Sequence, residues 1–332
     1  MAENRRSFLK TAGSGAAALA LGELMAGRAF AAEEGRHEDF IRQVTKARIF
    51  DLSHTWDENS PIASVNPPYA MMLNKTHAPF TGLDFPGTRG QFGDGGQLSF
   101  TSEVQHFSGQ HGAPSIDTIG HIGRDGKLYG GVDAAAATSN PLGVGRSGVG
   151  AHLDIAHYPK ERLVNRAVLL DVARAVNGND DALAGSFNIT DDHLAETARL
   201  QGVRLRRGDT VLIRTGWGRY FSANPGLYKG DNAAGVGVAG AKFLVKSGAA
   251  VVGNDTLTFE VRPPLAFPPE TPTFQVFPVH MLVIADNGIN IIENYFLEEI
   301  AAAQEYEFVL VVPPLKIRGG TGSALRSFAL VP

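Results

Sequence analysis

His111, Asp117 and His121 fall within eleven residues, His111-Gly112-Ala113-Pro114-Ser115-Ile116-Asp117-Thr118-Ile119-Gly120-His121. Each can bind a metal ion or carry a proton. Positions 111, 115, 117 and 121 differ by even numbers, so an extended backbone turns their side chains to one side and makes one wall of a polar site. A helix would bring 111 and 115 together but swing 117 away, and Gly112, Pro114 and Gly120 oppose a helix here. Histidines are also common in loops that bind nothing, and the run by itself leaves both readings open. The chain has no cysteine, so a metal must be held by nitrogen and oxygen donors. It also lacks a Gly-x-Ser-x-Gly elbow, which argues with the missing thiol against a covalent acyl-enzyme.

Short apolar runs alternate with amphipathic segments along the chain, which predicts a mixed α/β domain. Expected strands are Arg48 to Leu52, Leu98 to Val104, Arg166 to Val172, Asp209 to Arg214, Ala249 to Gly253, Ile289 to Glu293 and Phe308 to Val312. Expected helices are Glu38 to Thr45, a segment capped by Thr190 and stopped by Gly202, Val238 to Lys246 before Gly248, Val279 to Asp286, and Leu297 to Gln304. The helix from Val279 would put His280 on an inner face. Between Asn59 and Gly96 the chain is rich in Pro, Gly and Asn, as expected of long surface loops that cover a substrate.

At the start, Asn4-Arg5-Arg6-Ser7-Phe8-Leu9-Lys10 precedes a weakly apolar stretch and the small-x-small pattern Ala29-Phe30-Ala31. This resembles a twin-arginine signal peptide over 1–31, implying export to the periplasm by the machinery that carries folded, cofactor-loaded proteins. The remaining 32–332 is expected to form a single domain. Loss of the leader takes the formal net charge from −4 to about −6, so nothing basic remains to attract nucleic acid. No later apolar run approaches the roughly 18 residues that a membrane span needs.

Six landmarks then fall in a familiar order: Asp51-Leu52-Ser53-His54, the histidine run, Leu212-Ile213-Arg214-Thr215-Gly216-Trp217, Gly253-Asn254-Asp255-Thr256, the segment from His280 to Glu293, and Pro313-Pro314-Leu315-Lys316-Ile317-Arg318-Gly319-Gly320-Thr321-Gly322-Ser323. Over nearly all of the mature chain this resembles the cyclase family that includes kynurenine formamidase and isatin hydrolase. The resemblance implies a swivelling β/β/α fold with a mixed sheet and flanking helices. It also implies a homodimer or homotetramer, and a zinc or manganese centre that hydrolyses amide, lactam or related bonds of small molecules.

Carried across residue by residue, the resemblance makes His111 and Asp117 metal ligands. It gives His121 the place of a histidine that acts in catalysis or holds a second metal, and makes His280 and Glu293 a second catalytic pair. Ser115 stands where the family usually has a histidine, and a neutral hydroxyl is a poorer donor. His106 is a candidate replacement, although an offset of five from His111 puts it on the other side of a regular strand. Apart from the resemblance, His280 reads equally as a helix-face histidine and Glu293 as an exposed glutamate. Asp255 reads as a supporting group or a turn cap, Trp217 as pocket wall or core, and the glycines at 319–322 as a tight turn rather than a phosphate cradle.

The implied reaction is hydrolysis of an arylformamide, lactam or lactone, with the metal activating water and His121 taking its proton. His280 and Glu293 would orient the substrate, hold a second ion or protonate the leaving group. Two other classes share the landmarks: a periplasmic binding protein that lost its metal through Ser115, and a lyase or true cyclase that stabilises an enolate at the metal.

Overall fold

The computed structural model describes residues 37–63, 66–75, 101–110, 112–139, 150, 152–263 and 276–332. The leader 1–31, His111 and much of the 59–96 loop region lie outside the described residues. The chain divides into two units, Met1–Ile49 with Leu330–Pro332, and Phe50–Ala329. In the first, the described residues include a helix over 37–46, where the sequence places one.

The second unit carries a mixed sheet. Its strands include β1 (Ser115–Asp117), β2 (Val164–Asp171), β3 (Thr210–Arg214), β4 (Val251–Asn254), β5 (Asn290–Glu293), β6 (Glu307–Val311) and β7 (Gly322–Ala324). They lie in the order β6-β2-β3-β4-β5-β1-β7. From β2 to β5 all neighbours are parallel, whereas β6 pairs antiparallel with β2, β1 with β5, and β7 with β1.

Why these strands lie in the centre follows from their composition. Ala167–Leu170, Val211–Ile213, Val251, Val252, Ile291 and Ile292 are all fully buried, so neither sheet face at these positions meets water, as expected for parallel strands joined by crossover helices. One such helix, α1 (Asp191–Gln201), starts where the Thr190 side chain accepts from the His193 N–H and ends at Gly202, whose φ of 68° is the left-handed cap a glycine adopts without strain. Another, α2 (Val238–Ser247), closes at Gly248. Leu194 of α1 and Leu244 of α2 are fully buried in the same apolar cluster as Val168, Val211 and Val252, each contributing roughly 2 kcal/mol.

Two local details depart from the sequence expectation and matter for the site. Among the described residues of the histidine run, 112–121, only Ser115–Asp117 forms a strand; the chain then turns, with the His121 N–H donating to the Thr118 carbonyl at 3.1 Å. The helix expected over 279–286 is one α-turn, Pro278–His280, followed by a π-helical turn, Met281–Ala285. Wide turns of that kind occur frequently at functional sites. Strand β7 was not expected, because the Gly-rich approach at 319–322 reads as a turn. Its Gly322 lies opposite Asp117, where an added Cβ would come within 2.8 Å of Gln110 Nε2 and 2.9 Å of the Ile116 carbonyl.

Candidate metal centre

The four parallel strands run the same way, so Asp171, Arg214, Asn254 and Glu293 end them at one edge of the sheet, where α/β folds gather polar groups. Antiparallel β1 meets that edge beside β5, with Ser115 opposite Glu293 and Asp117 opposite Ile291. Side chains two apart in a strand share a face, so Asp117 and Glu293 lie on the same side of the sheet. The Pro278–His280 turn brings His280 over them.

The three residues form one compact set. Each offers a ligand atom within 4.8 Å of the others, and Asp117, His280 and Glu293 are all buried. His280 Nε2 stands 3.2 Å from Glu293 Oε1 and 3.9 Å from Asp117 Oδ2. On the other side of the ring, Nδ1 meets Glu260 Oε1 at 2.5 Å. His121 borders the set from the more open side: its Nε2 is 3.9 Å from Asp117 Oδ2, and its side chain is 30% exposed against 4% for the aspartate.

Charge is the unusual property of this cluster. Every ion pair that the described residues give Asp117, Glu260 and Glu293 runs to a histidine. Burial pushes the Glu293 carboxyl up to about 7, with the charges of Asp117 and Glu260 adding to the shift and the bond to His280 opposing it. Burial would pull the His280 imidazole down, but its hydrogen bonds to Glu260 and Glu293 overcome this and hold it well above its ordinary value. Three buried carboxylates around one buried imidazole leave negative charge that protons or a cation must neutralise. Nitrogen and oxygen donors converging in this way fit a divalent transition ion.

Of the sequence candidates, Asp117, His280 and Glu293 are thus brought together and His121 adjoins them. His111 lies outside the described residues. Ser115 turns away from the set, its hydroxyl donating to the Gln110 carbonyl at 2.9 Å, and His106 ends the Ser102–His106 strand in an exposed position. Asp255 is a cap: it accepts from Thr215 N (2.8 Å), Thr215 Oγ1 (2.7 Å) and Gly216 N (2.8 Å) and fixes the turn after β3. Trp217 belongs to the core, 2% exposed with its indole N–H on the Leu183 carbonyl. The 319–322 segment braces the site, since the Thr321 carbonyl accepts from both Thr118 N and Thr118 Oγ1 at 3.0 Å. Glu260 was missed by sequence reasoning. Its one signal is a charge set within Leu257-Thr258-Phe259-Glu260-Val261, where the neighbours on either side are buried.

A family model described as "Putative cyclase" matches residues 50–261, and the chain belongs to this cyclase family. Among solved structures, that of a novel cyclase is similar at 25% identity and a TM-score of 0.71, over 87% of this chain and 89% of that one. Isatin hydrolase A from Labrenzia aggregata, bound to benzyl benzoate, is similar at 20% identity and a TM-score of 0.63, over 89% and 99% of the two chains. A predicted metal-dependent hydrolase from Bacillus stearothermophilus shows 17% identity and a TM-score of 0.53, over 86% and 98%. These last two likenesses concern the fold. No curated protein matches the chain.

Proposed function

We propose that this protein is a metal-dependent hydrolase that opens a small cyclic or acyl amide or ester of the arylformamide, lactam or lactone type. The observation that carries the reading is the buried Asp117–His280–Glu293 donor set, with more carboxylate than the surrounding protein neutralises. The family, and the isatin hydrolase and metal-dependent hydrolase that share its fold, support it. Asp117, His280 and Glu293 would hold a zinc or manganese ion, with His111 as a further donor. Once bound, such an ion polarises a carbonyl and makes water easier to deprotonate.

The chain's own residues supply the rest. His121, at the more open side, accepts the proton that attacking water sheds and returns it to the leaving nitrogen or oxygen. Asp117, Glu260 and Glu293 are themselves buried from bulk water, which strengthens every charge interaction there. Export of a folded, loaded chain through the twin-arginine route to the periplasm is part of the same reading. So is a homo-oligomer, supported by the Ala70–Lys75 and Ser102–His106 ribbon, where Met71, Met72, Leu73 and Val104 are all more than half exposed.

The test is a screen of formamides, lactams and lactones with zinc- or manganese-loaded protein, read by product mass. Gain of one water, lost on chelation and restored by the ion, is expected. A product isomeric with its substrate, or one formed by elimination, would replace hydrolysis with cyclase or lyase chemistry.

A further inference from the structure

We propose that Glu260 is the positioning residue of this centre: it keeps a proton on His280 Nδ1 and so presents the bare Nε2 to the ion. The proposal rests on the metal-site reading above. One carboxylate collects three donors. Glu260 Oε1 accepts from His280 Nδ1 at 2.5 Å and from the His280 main-chain N–H at 3.2 Å, while Oε2 accepts from the Val279 N–H at 3.2 Å. It therefore holds both the ring and the backbone turn that carries it, which fixes the imidazole's direction as well as its tautomer. With Nδ1 donating to Glu260, Nε2 faces Glu293 and Asp117, and it is the nitrogen whose proton an ion would displace.

The main chain is built to put Glu260 there. Phe259 sits at φ 51°, in the left-handed region that a bulky side chain rarely enters. Such a conformation costs on the order of 1–3 kcal/mol and persists where its surroundings enforce it. The enforcing contacts are visible: the Phe259 carbonyl accepts from Val236 N at 3.1 Å and Asn254 Nδ2 at 3.0 Å, and Val261 N donates to the Val236 carbonyl at 3.2 Å. Beside them, a Cβ at Gly235 would lie 2.4 Å from the Glu260 carbonyl carbon and 2.5 Å from Val261 N. Only glycine lets the two segments approach this closely. Glu260 is also only 2% exposed and makes its ion pair with His280 alone among the described residues, so solvation does not explain its presence.

A purely structural carboxylate–imidazolium pair makes a different prediction, because it keeps both ring nitrogens protonated and leaves metal affinity indifferent to Glu260. The test uses the full chain labelled with ¹⁵N-histidine and loaded with zinc. A one-bond N–H coupling is expected at His280 Nδ1 and none at Nε2. In a manganese titration followed by the free-ion paramagnetic resonance signal, Glu260→Gln should weaken binding on the order of ten- to a hundredfold. Gly235→Ala should weaken it in the same direction although it touches neither ring nor ion.

A zinc-bound His280 protonated at Nε2 would overturn the proposal, as would a Glu260→Gln protein that binds manganese as tightly as the unaltered chain. If the variants fail to fold, the spectrum of the unaltered zinc form decides. Unaltered protein that takes up neither ion would sink the metal reading itself, an outcome distinct from intact binding that ignores Glu260.

Discussion

Two carboxylate clusters lie at the same edge of one sheet, and they are balanced in opposite ways. At the ends of β2 and β3, buried Arg214 donates to Asp171 at 2.8 Å and grips both oxygens of Glu298 at 3.1 and 2.8 Å. Arg219 adds a third bond to Glu298, and the Arg174 guanidinium a second to Asp171. Each acid there meets a guanidinium, a fixed charge whose planar fork suits a carboxylate. At the ends of β5 and β1, the acids Asp117, Glu260 and Glu293 share His280, with His121 further off. The first cluster is complete within the chain and holds the structure together. The second is complete only with added protons or a cation, which is why it is the better candidate for chemistry.

That contrast can be broken experimentally, beginning with the greatest effect. Asp117→Ala takes a carboxylate from the proposed metal set and should cost turnover on the order of a thousandfold or more together with the bound ion. Steady-state rates and elemental analysis check this, and an active, loaded variant would remove Asp117 from the site. Arg214→Met should destabilise the protein by up to about 3–5 kcal/mol, because it removes the buried guanidinium shared by Asp171 and Glu298 and leaves them only the more exposed Arg174 and Arg219, seen as a lower urea midpoint, while metal uptake by the folded fraction stays unchanged. His121→Ala should retain the ion yet lose roughly a hundredfold in rate if the exposed histidine carries the proton. Unchanged kinetics would reassign it.

The smallest effect is the most pointed. Because Glu293 is pushed up to about 7 from 4.5, the stability tied to its proton is fully present below the lower value and is lost as pH rises through the upper one. Metal-free Glu293→Gln should therefore be more stable than the unaltered metal-free chain at pH 8, by roughly 1–2 kcal/mol, with the gain shrinking toward pH 5. Denaturation at the two pH values reads this directly. A Gln that destabilises equally at both would show that the second cluster is balanced like the first.

Much of the frame was legible because its signals are local. Thr190 and Gly202 bound α1, and the Val-Leu-Leu run of β2 states its burial without reference to anything distant. The site was legible in a different way. His280 and Glu293 read as ordinary residues until family resemblance joined them to Asp117, since the pairing of β5 with β1 spans more than 170 positions. Alternation along an extended strand places Ser115 and Asp117 on one face, yet the hydroxyl at 115 turns to the Gln110 carbonyl. His121 reaches Asp117 through the turn at 118–121 rather than by continued alternation. Glu260 stayed hidden because its role depends on a strained residue and a glycine 25 positions earlier, neither of which leaves a periodic trace.

The measurement that bears most directly on this account is the metal uptake of chelator-stripped protein, titrated with zinc and with manganese beside Asp117→Ala. Saturable binding of one or two ions per chain, absent from the variant and accompanied by release of protons, is the predicted result. Stripped protein that folds normally yet binds neither ion, or binds both equally well without Asp117, would contradict it.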